Sequence, residues 1–346
     1  MKKKVVIATH VFSYGKAQAL KDYLMDKAEV LFIGHPLFGN LFTWTIGAID
    51  TLWQVFKSGK KFDLYVGSNN LNAFVGILLK KMGRVKKVIF YTPDSPPNRF
   101  RNRLLNNFYH WLDSFCVKHS DLVWNNSNRM IAEREKRGLS KKYRNKQIEV
   151  PMGTDLVEQT AFSEIDRYSI GFVGHLKEGQ GLELIIDALP EITKQIPKVK
   201  LLIIGSGPIE EKLKLQVKNL KLKNVEFLGF IGDINKVYRI LSKCAIGIAL
   251  YKKYSHAQYT DPGKVKNYLS VGLPIVITDV PEIAYEIDKE KCGIMIKYDR
   301  QEVVKAIVKL LKNEDLLKSY RKNVGKLACK YSYDRIFAKA LSSLEW

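Results

Sequence analysis

Twelve short runs rich in Val, Ile and Leu, each followed by a longer stretch with helical spacing, leave this chain few options. Parallel neighbours in a sheet need long crossovers, usually helices, so such alternation predicts α/β architecture. In the first half the strand candidates are Lys3–Thr9, Glu29–Gly34, Phe62–Ser68, Lys86–Thr92, Leu122–Asn126 and Gln147–Val150. In the second they are Ser169–Gly174, Lys200–Gly205, Val225–Gly229, Ala245–Leu250, Pro274–Thr278 and Gly293–Ile296. Two sets of six predict two doubly wound parallel-sheet domains, and 346 residues is a fitting length for two cores. The expected division is 1–160, 161–330 and a C-terminal helix in 331–346. The polar stretch Gly153–Ser163 follows a Pro-Met-Gly turn, lacks periodicity and reads as the linker. Ile336, Phe337, Leu341 and Leu344 form a stripe expected to dock back toward the first domain.

Charge narrows the partners. Lys and Arg number 57 against 35 Asp and Glu, a net charge of +22, which favours acidic partners. Arg84–Lys146 holds the densest excess, 15 basic residues against 5 acidic. A solvated face explains such a run as readily as a partner does. No nucleic-acid motif accompanies the charge, so nucleic acid is the weaker reading. Cys116, Cys244, Cys292 and Cys329 are far apart in sequence and lack metal-ligand spacing, which suits reduced thiols in a cytosolic protein. The apolar run near Met1 is too short for a signal-peptide core. Leu41–Phe56 and Leu71–Leu79 fall short of the roughly 20 residues of a spanning helix, so any membrane contact is expected to be peripheral.

In parallel sheets ligands gather beyond the carboxyl ends of the strands, so the loops there are searched for chemistry. In Tyr259-Thr-Asp-Pro-Gly-Lys-Val-Lys-Asn-Tyr, Asp261 reads as a cap, Pro262 as the first helical residue and Gly272 as the C-terminal stop. Free N–H groups beside Gly263 and the charge of Lys264 in the first turn suit a phosphate. Asn267 falls on the same face, where its amide would reach a hydroxyl or carbonyl. An ordinary helix with an exposed Lys and Asn is the alternative. Two further turns follow strands: Gly174-His-Leu-Lys-Glu-Gly-Gln-Gly181, with His175 and Lys177 as donors, and Gly205-Ser-Gly-Pro208. Each alone is a common loop. Three together point toward a nucleotide-like ligand.

These residues resemble the family-4 retaining glycosyltransferases of the GT-B fold. The likeness rests on Gly-His-Leu…Gly-Gln-Gly-Leu-Glu, Gly-Ser-Gly-Pro, Asn-Val-Glu-Phe-Leu-Gly229 and Pro-Gly-Lys-Val-Lys-Asn-Tyr-Leu-Ser-Val-Gly-Leu-Pro, over about 150 residues. Val150-Pro-Met-Gly-Thr-Asp155 and Ser120-Asp-Leu-Val-Trp-Asn-Asn-Ser127 look like its turn and strand at the end of the first half. The resemblance implies two Rossmann-like domains facing a central cleft. A nucleotide-sugar donor would be held by the second domain and a glycan, lipid-linked or other hydroxyl acceptor by the first. It implies a hexosyltransferase-type enzyme that retains anomeric configuration, in cell-surface polysaccharide or glycolipid synthesis. Lys264 would stabilise the leaving diphosphate, Gly205, Ser206, Gly207 and Pro208 would lie near the base, and Gly174 to Gly181 near the phosphates. The sequence holds no Asp-x-Asp, so no metal and no cofactor is expected. The chain departs from the family in having Asn267 for its ribose-binding Glu, Tyr259 for the first Glu of the Glu-x7-Glu pair, and His175 and Gln180 for its Arg and Lys. Lys177 and Asp261 are the candidate substitutes. A GT-B scaffold or binding subunit that has lost catalysis is the rival reading, and a lipid- or nucleic-acid-binding protein without sugar chemistry the third.

On the acceptor side Asp94, in Tyr91-Thr-Pro-Asp-Ser-Pro-Pro97, is the polar group nearest the position of the family's catalytic His. His10 and Gly15 follow the first strand and are expected to face the cleft, where a lone His is more often packed than catalytic. Asn98–Phe115 mixes three Arg with five aromatic residues. That mixture suits an anionic bilayer at the inner face of the cell membrane, while Leu104, Leu105, Phe108, Leu112 and Phe115 also form an ordinary core face.

Overall fold

The computed structural model describes residues 2–10, 15–35, 41–253, 255–342 and 344. It divides into two compact units, one of residues 1–153 with 333–346 and one of residues 154–332. In the first, β1 (Lys3–Thr9), α1 (Lys16–Leu24), β2 (Ala28–Gly34), α2 (Leu41–Lys57), β3 (Phe62–Ser68), α3 (Asn70–Lys81), β4 (Val85–Thr92), α4 (Arg103–His119), β5 (Leu122–Asn125), α5 (Arg129–Lys136) and β6 (Gln147–Glu149) alternate along the chain. The sheet order is β2-β1-β3-β4-β5-β6, with every pairing parallel.

The second unit runs β7 (Asp166–Val173), α6 (Leu182–Gln195), β8 (Lys200–Ile204), α7 (Glu210–Asn219), β9 (Val225–Gly229), α8 (Ile234–Ser242), β10 (Cys244–Ala249), α9 (Gly263–Ser270), β11 (Ile275–Thr278), α10 (Ile283–Lys289), β12 (Gly293–Ile296), α11 (Arg300–Lys312) and α12 (Glu314–Lys330). Its order is β12-β11-β10-β7-β8-β9, again parallel. The strands are apolar on both faces because helices cover both. Ile170, Phe172, Ile246 and Ile248 lie in one buried cluster with α6 and α11, and Ile275 and Ile277 in another with α9 and α12.

The final helix, α13 (Tyr333–Ser342), belongs to the first unit. Its buried stripe is Ile336, Phe337, Ala340 and Leu341, and Phe337 stacks on Trp124 with ring centroids 6.3 Å apart. The segment after residue 153 lies along the second unit. Thr154 bridges Ser332, and the Asp155 carboxylate accepts from the Tyr238 hydroxyl at 2.7 Å.

The expected core face of α4 is out of phase with the structure. Leu112, Asp113, Cys116 and Val117 are buried, Phe115 is partly buried, and Leu104, Leu105 and Phe108 are exposed. A buried cation sets this phase. Arg134 donates through Nε and one terminal nitrogen to both Asp113 carboxylate oxygens (2.7 and 2.9 Å). Its other N–H groups reach Asn125, Gln147 and Thr92, so all five donors are used and Asp113 must face inward.

Candidate functional site

The strand order of the second sheet reverses between β10 and β7, and beyond the carboxyl ends of strands at such a reversal ligands of these sheets sit. The turns there interlock backbone to backbone. Gly205 holds φ +137°, and a methyl group on it would stand 1.9 Å from the Gly174 carbonyl oxygen. Only glycine fits that approach. Hydrogen bonds fix the same contact: Gly174 N–H to Ile204 O (3.0 Å), Leu176 N–H to Ser206 O (2.9 Å) and Gly205 N–H to Gly229 O (2.8 Å). The His175 ring donates Nδ1–H to the Ser206 carbonyl at 2.9 Å, which leaves Nε2 as an acceptor in the neutral ring. His175, Lys177, Ser206 and Pro208 are exposed above this floor.

Helix α9 delivers Lys264 to the same place. Its Nζ donates to the Gln180 side-chain oxygen at 2.8 Å and lies 3.8 Å from the centre of the Phe172 ring and 5.2 Å from that of Tyr251. A methyl on Gly174 would stand 3.4 Å from that nitrogen. Burial and the charge of Lys177 push the Lys264 ammonium well below the ordinary lysine range. Among the described residues no carboxylate forms an ion pair with it. Two cations near one another, beside an α9 N-terminus that no side chain caps, form a site for an anion.

The start of α9 differs from expectation. The helix begins at Gly263, Pro262 is its extended N-cap, and no side chain caps it. Asp261 turns instead to Lys266, with Nζ to carboxylate oxygen 3.2 Å and both side chains nearly fully buried. The same ammonium lies 3.4 Å from the Tyr331 ring centre. Lys266 lies on the buried side of α9, and its charge draws the carboxylate away from the helix end. Asn267 is half-buried on α9, one turn after Lys264.

Two contributors, Tyr268 and Phe230, escaped the sequence reading, and a third, Gln180, was read there only as a departure from the family's Lys. Gln180 holds the lysine. Tyr268 accepts from Val173 N–H at 3.2 Å and donates to the Ile248 carbonyl at 2.9 Å, clamping α9 to β7 and β10 where they part. A tyrosine among apolar helix positions was its only sign. Phe230 follows Gly229, next to the Gly205 turn, and is 77% exposed. A large ring left open at a strand's carboxyl end was invisible in a sequence where phenylalanine is common.

In the first unit the acceptor-side candidates stand in separate settings. Asp94 is held in an ion pair by Arg99 at 2.6 Å. Gly15, at φ +121°, precedes α1. His10 follows β1 with its ring centre 6.3 Å from that of His35, and neither of its nitrogens meets a partner among the described residues. Burial, and then His35, lower its pKa to about 4. Residues 11–14 of the loop beyond it lie outside the described residues. Among the described residues no group of three His, Cys, Asp or Glu side chains is placed to hold a metal ion.

Residues 167–313 match the family model described as glycosyl transferases group 1. An uncharacterized glycosyltransferase of Methanocaldococcus jannaschii, MJ1059, is 22% identical over 294 residues, covering 80% of this chain and 70% of its own. The poly(glycerol-phosphate) alpha-glucosyltransferase of Bacillus subtilis is 26% identical over 170 residues, covering 48% of this chain and 24% of its own. The chitobiosyldiphosphodolichol beta-mannosyltransferase of Kluyveromyces lactis is 22% identical over 205 residues, covering 59% and 43%. The chain thus spans less than half the length of the last two. Among solved structures, Anabaena Alr3699/HepE in complex with UDP aligns with TM-score 0.75 and 16% identity over 99% of this chain and all of that one. A sucrose-phosphate synthase of Thermosynechococcus elongatus aligns with TM-score 0.75 and 15% identity, over 99% of this chain and 98% of that one. The match to the glycosyl transferases group 1 model thus covers most of the second unit, and the two parallel sheets give the chain the two-domain GT-B fold that it shares with these solved structures.

Proposed function

We propose that this protein transfers a sugar from a nucleotide-sugar donor, bound by the second unit, to a hydroxyl of a glycan or lipid-linked acceptor met by the first. The observation that carries this is Lys264, a desolvated lysine held against glycine turns, with no carboxylate paired to it among the described residues. Such a group gains most when negative charge develops beside it. In the proposed reaction the bond from the anomeric carbon to the diphosphate oxygen breaks, and Lys264, with Lys177, stabilises that oxygen. The acceptor oxygen bonds to the anomeric carbon, and its proton passes to the leaving phosphate. The reaction retains configuration and needs no metal in this reading, because lysine charge does the work assigned elsewhere to a divalent ion.

Phe230 offers a face for stacking a base at the far end of the same row of loops. Support comes from Anabaena Alr3699/HepE, solved with UDP and with UDP-glucose, and from relatives named for glucosyl and mannosyl transfer. The reading includes work in the cytoplasm with peripheral attachment to the inner face of the membrane. No helix among the described residues is long and apolar enough to cross one.

Calorimetry with UDP-, GDP- and ADP-sugars, on the wild type and on Lys264→Ala, tests the donor. One donor that binds the wild type and is weakened in the variant is expected, and a folded wild type that binds none would reject the proposal. Proton NMR of the first-formed product tests retention, and activity after chelation tests the metal. Donor binding without transfer to any acceptor would instead favour a scaffold role.

A further inference from the structure

The first unit leaves two rows of large apolar side chains in solvent. On α2 they are Ile46, Ile49 and Trp53, spaced three and four residues apart, with Ile49 and Trp53 more than 60% exposed. On α4 they are Leu104, Leu105, Phe108 and Trp111, with Leu104 78% exposed. Phe108 stacks on Trp111 and Trp111 on Phe115, at 5.8 Å each, so the α4 row is one continuous aromatic ridge.

The topology puts both rows on one side of the sheet. The connections from β2 to β3, β3 to β4 and β4 to β5 all step in the same direction through the strand order. Right-handed crossovers therefore place α2, α3 and α4 on one face, and the reversed step from β1 to β2 places α1 on the other. Helix α3 packs against both α2 and α4. Helices α2 and α4 each begin at the carboxyl edge of the sheet, so the rows rise toward the edge where a ligand of this unit would enter.

Along residues 98–120 the exposed charge is of one sign. Between Asn98 and Ser120 the single acidic residue is Asp113, which is buried against Arg134. Arg101 and Arg103 are exposed at the start of the ridge, and Lys118 at its end. An apolar ridge with cations at both ends matches an anionic lipid surface, in which apolar side chains enter the acyl boundary and arginines meet headgroup phosphates. A protein partner is the poorer fit, since it would have to supply many carboxylates around a convex aromatic ridge.

We propose that the α2 and α4 face of the first unit docks on an anionic bilayer, seating Trp53, Phe108 and Trp111 in its interface. The proposal deepens the reading of this unit as the acceptor side, because a lipid-borne hydroxyl would then arrive along the edge where both rows begin. Docking needs neither donor nor turnover, so its failure and the failure of transfer are separately visible.

The test is flotation of the full chain with vesicles of phosphatidylcholine alone and of phosphatidylcholine mixed with phosphatidylglycerol. Three proteins are compared: wild type, Phe108→Ser/Trp111→Ser and Arg101→Gln/Arg103→Gln, with thermal midpoints as the folding control. The wild type is expected to float with the mixed vesicles and not with the neutral ones. Each pair of substitutions should weaken binding about tenfold or more, and salt should oppose it. A wild type that stays with the soluble fraction overturns the proposal, as does unchanged flotation of folded variants. A wild-type dimer that the Phe108/Trp111 variant dissolves, without flotation, would assign the face to a second copy and overturn it too.

Discussion

Lys264 Nζ sits 2.8 Å from the Gln180 side-chain oxygen, joining the start of α9 to the glycine turn after β7. The amide orients the ammonium without neutralising it, and Phe172 and Tyr251 supply only ring faces. The lysine is thus held in readiness for an anion. Removing it in Lys264→Ala should lower turnover about 10²- to 10³-fold with little change in thermal midpoint, since a site cation acts on charge that develops during reaction. Steady-state kinetics beside a melting curve checks both halves.

The depressed pKa of Lys264 has a sign that can be followed. In the free protein the site disfavours the protonated form, so the unfolded chain binds more protons over the window below the ordinary lysine value. Stability contributed by this residue therefore rises with pH across that window. A bound diphosphate opposes that depression and favours the protonated form. Binding of the nucleoside diphosphate, followed over a pH series, should weaken as pH rises through the titration of this lysine in the wild type and lose that dependence in Lys264→Met.

His10 titrates far below its ordinary 6.5, at about 4, because burial and His35 both oppose its charge. Between those values the unfolded state holds the extra proton. Stability should fall as pH drops through that interval, by about 1–2 kcal/mol. His10→Phe should flatten this part of the curve in denaturant unfolding at a series of pH values, and an unchanged slope would assign the loss elsewhere.

Arg134 has no spare donor, so truncation leaves Asp113 as a buried charge without its partner. Arg134→Ala should cost about 3–5 kcal/mol. Arg134→Lys should recover only part, because three donors on a point charge cannot replace a planar fork meeting four side chains. Urea unfolding of both variants measures the difference.

Gly205→Ala places a methyl group against the Gly174 carbonyl at a φ that side chains rarely adopt. The two turns must separate, which should abolish binding of the nucleotide-sugar donor found for the wild type and lower stability by about 2 kcal/mol or more. Gly232→Ala, whose methyl would meet only the edge of Phe230 at 3.6 Å, should disturb neither turn.

Most of the fold was legible because strand signals are local. β1, β3, β9 and β12 fall on the expected residues, and the other strands lie within a few residues of them. Phase and pairing were less legible. The stripe through Leu104, Phe108 and Phe115 scores as a core face on spacing alone, yet the helix rotates to bring Asp113 to an arginine 21 positions on. Asp261 stands where caps stand, and a buried lysine on the inner side of the same helix claimed it.

By itself the sequence determined what depends on near neighbours along the chain: where strands and helices run, where glycine lets the backbone turn, and that two domains of one class follow each other. Only the tertiary structure decided which carboxylate meets which cation, that Gln180 holds Lys264, that Tyr268 spans two strands, and that the aromatic ridge of α4 faces outward. The physical reason is that a buried charge or polar group is satisfied wherever folding brings a partner within about 3 Å. Gln180 lies 84 positions from Lys264 and Val173 lies 95 from Tyr268, separations at which spacing along the chain carries no information, and even Asp261, five residues from Lys266, chose its partner by burial.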